Sequence, residues 1–161
     1  MTRAGSEMSV GRPTVAVVDD DREVRQALRD ALSSAGFTVQ LAPHALKLVS
    51  ALEVDRPAVI VLDVVNSWID GLGLCRALKR NQEYCEIPIV IVSGKSEPES
   101  IRAAFQAGAA AYFLKPLDLS RLVWRITELS RGSSVGTGAG AVAGDGGEGS
   151  GGMASPPERH P

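Results

Sequence analysis

Two periods alternate along the middle of the chain. Residues 14–19, TVAVVD, form a short apolar run rich in β-branched side chains, and Val24, Ala27, Leu28, Ala31, Leu32 and Ala35 then recur at helical spacing. Asp21 stands where that helix needs an N-cap and Gly36 where it needs a stop. The alternation repeats four more times. FTVQL (37–41) precedes Leu46, Val49 and Leu52, with Pro43 placed to open the helix. AVIVLD (58–63) precedes Leu72, Cys75 and Leu78, and IPIVIVS (87–93) precedes Ile101, Ala104 and Phe105, which run up to Gly108. AAAYFL (109–114) precedes Leu119, Leu122, Val123, Ile126 and Leu129. The runs are continuously apolar rather than alternating, so the sheet is expected to be covered on both faces. Right-handed crossovers make it parallel and doubly wound: an α/β fold, (βα)5, with strand order 2-1-3-4-5. Five strands are too few to close an eight-stranded barrel.

The flanks change the picture little. Residues 1–13 are polar and residues 132–161 are dominated by Gly, Ser and Ala without apolar periodicity, so both are expected to be disordered around a folded unit at 14–131. A net charge of −2 gives no basic field for nucleic acid, and direct DNA binding is not expected. No apolar run approaches the roughly 18 residues of a membrane helix, and the start, MTRAGSEMSVGRP, has no apolar signal core. Two cysteines, Cys75 and Cys85, fit a reduced, cytoplasmic protein better than a disulfide framework or a zinc site.

Chemistry in such sheets collects beyond the carboxyl ends of the strands, near the point where strand order reverses. There this chain places Asp19-Asp20-Asp21 after strand 1, Asp63 after strand 3, Ser93-Gly94 after strand 4 and Lys115-Pro116 after strand 5. Taken singly, each has an ordinary explanation: a cap, a loop start, a turn. Together they gather carboxylates that repel by several kcal/mol at an effective dielectric near 20, which calls for a cation. Oxygen-only ligands select a hard ion such as Mg²⁺, and both histidines, His44 and His160, lie elsewhere. A metal, a lysine and a hydroxyl beside a free carboxylate suit phosphoryl transfer, with the carboxylate as acceptor.

At these residues the sequence resembles the response-regulator receiver domain of two-component signalling, a flavodoxin-like fold. VVDDD, VLDVVNSWIDG, IVIVSG and YFLKP match the family's motifs in order, and Ser93 and Lys115 follow Asp63 by 30 and 52 residues, as the family pattern requires. The resemblance implies roles. Asp63 would accept the phosphoryl group. Asp19 and Asp20 would hold Mg²⁺, with Asp63 and the backbone carbonyl of Val65. Lys115 would pair with the phosphoryl group, Ser93 would be the switch hydroxyl and Tyr112 the switch aromatic, moving in behind Ser93. The Lys115–Pro116 bond would be cis. Asn66 and Ser67 stand where the family usually has Met and Pro, which should loosen that loop without removing a ligand.

The implied function is a cytoplasmic phosphoacceptor module, phosphorylated by a sensor histidine kinase or histidine phosphotransfer protein. It would assist its own Mg²⁺-dependent phosphorylation and dephosphorylation rather than act as an enzyme. It would signal to a downstream protein through the face made by the fourth helix, fifth strand and fifth helix, as a stand-alone receiver without an output domain. The alternative is a pseudo-receiver that binds partners without phosphorylation. A flavodoxin-like FMN binder shares the topology but would need a Ser/Thr-rich phosphate loop where this chain has three acids. Trp68 is expected to report on the site through its emission, and Trp124, set among Arg121, Arg125 and Glu128, to face outward, either lying partly exposed on those neighbours or serving as a partner or dimer contact on the signalling face.

Overall fold

The computed structural model describes residues 12–66, 69–132 and 141–143. In chain order these form β1 (Thr14–Val18), α1 (Arg22–Ser34), β2 (Thr38–Ala42), α2 (Ala45–Val54), β3 (Val59–Asp63), β4 (Val65–Asn66), β5 (Ile69–Asp70), α3 (Gly71–Arg80), β6 (Ile89–Ser93), α4 (Pro98–Gln106), β7 (Ala111–Leu114), α5 (Leu119–Ser130) and β8 (Ala141–Ala143). The main sheet runs β2-β1-β3-β6-β7-β8, every pair parallel. Its first five strands reproduce the expected order 2-1-3-4-5.

Two apolar layers explain why the strands read as unbroken hydrophobic runs. Val15, Val17, Val59, Val61, Val90 and Val92 face α1 and α5, meeting Leu28, Leu32, Leu122 and Ile126. Ala16, Val18, Ile60, Leu62, Ile89 and Ile91 face the other way, onto Leu48 and Leu52 of α2, Cys75 and Leu78 of α3 and Ala104 of α4. Successive strand residues alternate between these layers, so both must be apolar. Burying one such Val or Ile side chain contributes about 1.5–3 kcal/mol.

Three features depart from the sequence reading. Ala141–Ala143, inside the segment expected to be a disordered tail, pairs with Ala111–Phe113 as a sixth strand. The reason is the edge of β7, whose free backbone groups accept an extended segment of almost any composition. The rest of that segment, 133–140 and 144–161, lies outside the described residues, as does 1–11. Second, the loop after β3 contains a short antiparallel hairpin, β4 with β5. Third, α2 is opened by His44, whose Nδ1 accepts the Lys47 N–H at 3.3 Å, not by Pro43. Gly36 stops α1 with φ +97°, a conformation that disfavours other residues.

Candidate functional site

The sheet delivers four strand ends to one edge. Asp19 follows β1, Asp63 ends β3, Ser93 ends β6 and Lys115 follows β7. Asp19, Asp63 and Ser93 are buried, at 0%, 3% and 0% exposure, while Asp20 faces solvent. Three of these polar groups thus sit in the dry carboxyl end of the core, where each needs a partner.

Lys115 supplies the central one. Its Nζ lies 3.0 Å from Asp19 Oδ2 and 3.0 Å from Asp63 Oδ2. The remaining carboxylate oxygens are held by backbone: Asp19 Oδ1 accepts the Asp21 N–H and Asp63 Oδ1 accepts the Val65 N–H, both at 2.9 Å. Lys115 is itself fixed, its N–H donating to Ser93 O at 2.8 Å and its bond to Pro116 being cis. The Ser93 hydroxyl accepts the Lys95 N–H at 3.1 Å.

The charges do not balance within the chain. Burial pushes the Asp19 carboxyl above its usual range, and nearby Asp63 adds to this against the hydrogen bonds from Asp21 and Lys115. Burial alone would pull Lys115 down, but its bonds to Asp63 and Asp19 outweigh that and raise it. Asp19, Asp20 and Asp63 each offer an oxygen within 4.8 Å of the others. Two carboxylates at that separation repel by about 3–4 kcal/mol at an effective dielectric near 20. One ammonium against three carboxylates leaves a formal double negative charge among these side chains, only partly offset by the Arg25 guanidinium on Asp19 O. An all-oxygen set of this kind fits a hard divalent cation.

The expected residues therefore converge, with some detail the sequence did not carry. Arg25 of α1 donates from Nη1 to Asp19 O at 2.7 Å, clamping the acid loop; a donor to a backbone carbonyl has no sequence signature. Asp21 caps α1, accepting the Glu23 and Val24 N–H groups, and is not in the cluster. Tyr112 is 1% exposed, its ring already inside the core and its hydroxyl donating to Lys95 O at 2.6 Å. The anticipated inward movement thus has no room to occur from this state. Trp124 is 63% exposed on α5, next to an Arg125–Glu128 pair at 3.2 Å. Trp68 lies outside the described residues. Beside Lys115, a mainly apolar cleft of about 260 Å³ opens between Val24, Ala27 and Leu28 of α1 and Pro116, Leu117 and Leu119.

Residues 15–127 match the family model described as the response regulator receiver domain. The chain belongs to the response regulator receiver family. It is 36% identical over 129 residues to response regulator MprA of Mycolicibacterium vanbaalenii, covering 80% of this chain and 55% of that protein. The MprA protein of Mycobacterium ulcerans is 38% identical over 117 residues, 73% of this chain and 50% of its own length. The chain thus spans about half the length of these curated relatives. Among solved structures, a putative response regulator from Chloroflexus aurantiacus superposes with TM-score 0.70 at 28% identity, covering 74% of this chain and 98% of that one. A BeF3-activated DrrB receiver domain superposes with TM-score 0.67 at 25% identity, over 74% and 98%. Among the described residues no helix is long and apolar enough to cross a membrane.

Proposed function

We propose that this receiver domain takes a phosphoryl group on Asp63 from a phosphohistidine of a sensor histidine kinase or histidine phosphotransfer protein. The observation that carries the reading is the single ammonium of Lys115 held 3.0 Å from both Asp19 and Asp63 at the carboxyl edge. Asp63 attacks phosphorus in line; the new O–P bond forms as the N–P bond breaks, and the imidazole leaves with the bonding electron pair. Lys115 is positioned to follow the phosphoryl oxygens without leaving the pocket. Asp19, Asp20, Asp63 and the Val65 carbonyl would hold Mg²⁺. That ion would supply the positive charge that lowers phosphoryl-oxygen repulsion in the transfer. Arg25 and the Asp21 N–H keep the Asp19 carboxylate aimed while this happens. The apolar cleft beside Lys115 gives a protein donor a surface to grip, which a small phosphate donor does not need.

The acyl phosphate adds charge next to Ser93. The Ser93 hydroxyl then exchanges its Lys95 N–H contact for the phosphoryl oxygens, and the buried Tyr112 holds the rearranged loop through Lys95 O. Phosphorylation in this reading locks the inner Tyr112 position rather than creating it, a population shift that needs a few kcal/mol of differential contact. The readout surface is α4, β7 and α5, with Trp124 as a contact to a downstream protein. Water later cleaves the acyl phosphate, so the domain assists its own phosphorylation and dephosphorylation and turns over no other substrate. The proposed setting is the cytoplasm.

Acetyl phosphate with Mg²⁺ tests the reading. Acid-stable, base-labile labelling is expected in the native chain and none in Asp63→Asn. Equal labelling in both would refute the acceptor assignment, and none in either would favour a partner-binding pseudo-receiver.

A further inference from the structure

Among the described residues the opposite edge of the sheet is open. The Thr38 N–H donates to Pro13 O, and Ala42 O accepts the Asp19 N–H, so the even-numbered residues of β2 bond inward to β1. By alternation the N–H and carbonyl groups of Val39 and Leu41 point outward, and β2 is terminal in the sheet. Exposed edges are usually guarded by lysine, proline or a bulge. β2 reads TVQLA and has no such guard.

Beside this edge lies α2, ALKLVSALEV, whose only polar residues are Lys47, Ser50 and Glu53. Its inner face buries Ala45, Leu48 and Leu52. Yet Leu46 is 75%, Val49 42% and Val54 87% exposed, three of the five large hydrophobics left exposed among the described residues. A helix apolar on nearly every side is normally covered on every side. Between α2 and the edge runs a groove of about 430 Å³, lined by Gln40, Leu41, Lys47, Ser50, Ala51 and Val54 with Ala42. In it Gln40 Oε1 is buried without a hydrogen-bond donor, while Nε2 makes a long, 3.4 Å contact to Asp55 Oδ2. A buried amide oxygen with no donor is a cost that folding seldom leaves standing.

We infer that this edge is a homodimer interface, in which β2 pairs antiparallel with β2 of a second copy about a two-fold axis at Gln40. The register is self-complementary. Val39 of each copy opposes Leu41 of the other, so all four outward residues exchange hydrogen bonds. Gln40 then faces Gln40 of the second copy in the close, non-hydrogen-bonded pairing, with Cβ atoms about 5 Å apart. With the two carboxamides turned toward the axis, the orphaned oxygen of one accepts an N–H from the other at that distance. The same axis lays the two α2 helices side by side and antiparallel on one face of the joined sheet. Ser50 and Ala51 fall at the crossing, where small side chains allow close approach, and Val54 packs along the Lys47 stem of the other copy. A foreign strand would satisfy the edge amides but would have to bring its own donor for Gln40; a second copy brings it by symmetry.

The full chain gives the test. Light scattering over a concentration series is expected to show a monomer–dimer equilibrium. Val39→Pro removes an outward N–H that serves no bond among the described residues, so the fold, checked by circular dichroism, should persist. Its dimerisation constant should fall by about tenfold or more, the loss of two symmetric hydrogen bonds. Gln40→Cys in a Cys85→Ser background should form a disulfide-linked dimer on mild oxidation, because residue 40 meets itself at the axis. A native chain that stays monomeric at every concentration overturns the inference. So does an unweakened Val39→Pro dimer, or a dimer in which Gln40→Cys fails to cross-link.

Discussion

Lys115 and Lys79 are both half-buried ammonium groups anchored by two oxygens each, and they do opposite things. Lys115 meets two carboxylates at 3.0 Å and its pKa is raised. Lys79 of α3 meets two backbone carbonyls, Cys85 O at 3.1 Å and Ile87 O at 2.7 Å, and its pKa is lowered, chiefly by burial. Carbonyls satisfy an ammonium's hydrogen bonds but not its charge; carboxylates satisfy both. Lys79 is accordingly a clamp on the chain between α3 and β6, with Gly108 lacking the Cβ that would strike the Lys79 Cγ at 2.6 Å. Lys115 belongs to a charge balance that, in the proposed function, an incoming phosphoryl group or cation changes. The lesson is that a buried lysine marks a reactive site only when acids, not amides, surround it.

The widest separation between the two should appear in phosphorylation. Lys115→Ala is expected to slow labelling by acetyl phosphate by on the order of 100-fold or more, whereas Lys79→Met should stay within about threefold, since it touches no site residue. A comparable loss in both would erase the distinction.

Stability should separate them next. Lys79→Met leaves two carbonyls without their donor and is expected to cost about 1–3 kcal/mol in chemical denaturation, with or without Mg²⁺. Lys115→Met leaves Asp19 and Asp63 uncompensated, a loss of about 3–5 kcal/mol in metal-free buffer, and Mg²⁺ should restore much of it. An Mg²⁺ effect of equal size on the two variants would contradict the charge argument.

The pH profiles should slope in opposite directions. For Lys79 the folded pKa lies below 10.5, so the native state loses its proton first and stability rises with pH in the window just under 10.5. For Lys115 the folded pKa lies above 10.5, so its contribution is complete below that value and falls as pH climbs beyond it. Each substitution should remove its own slope and leave the other in urea melts across this range.

The smallest effect concerns the thiols near Lys79. Burial pushes the Cys75 thiol up to about 11, and it is 0% exposed, whereas Cys85 is half-buried. An alkylating reagent at neutral pH should label Cys85 and spare Cys75 in the folded chain. Prompt labelling of Cys75 would mean that α3 opens more readily than its packing against Ala107 suggests.

Much of this was legible in the sequence because it rests on repetition. Apolar runs and helical spacing located the five main strands and five helices, since a sheet covered on both faces leaves a strong pattern. Their ends brought Asp19, Asp63, Ser93 and Lys115 to one edge without any knowledge of distances. What stayed hidden has no periodic signal. The β4–β5 hairpin is two residues per strand, too short for alternation to register. The Ala141–Ala143 pairing depends on the free edge of β7, not on its own composition. Arg25 and Lys79 act on backbone carbonyls, which every residue carries, and the inner position of Tyr112 is a choice between rotamers that sequence does not encode.

The most direct measurement is to locate the phosphoryl group chemically. The full chain, labelled by acetyl phosphate and Mg²⁺, would be reduced with borohydride, which converts an aspartyl phosphate to homoserine, and mapped by peptide mass spectrometry. Homoserine is expected at position 63 and not at 19 or 20. Homoserine at Asp19 or Asp20, or a labelled protein with unmodified Asp63, would contradict it.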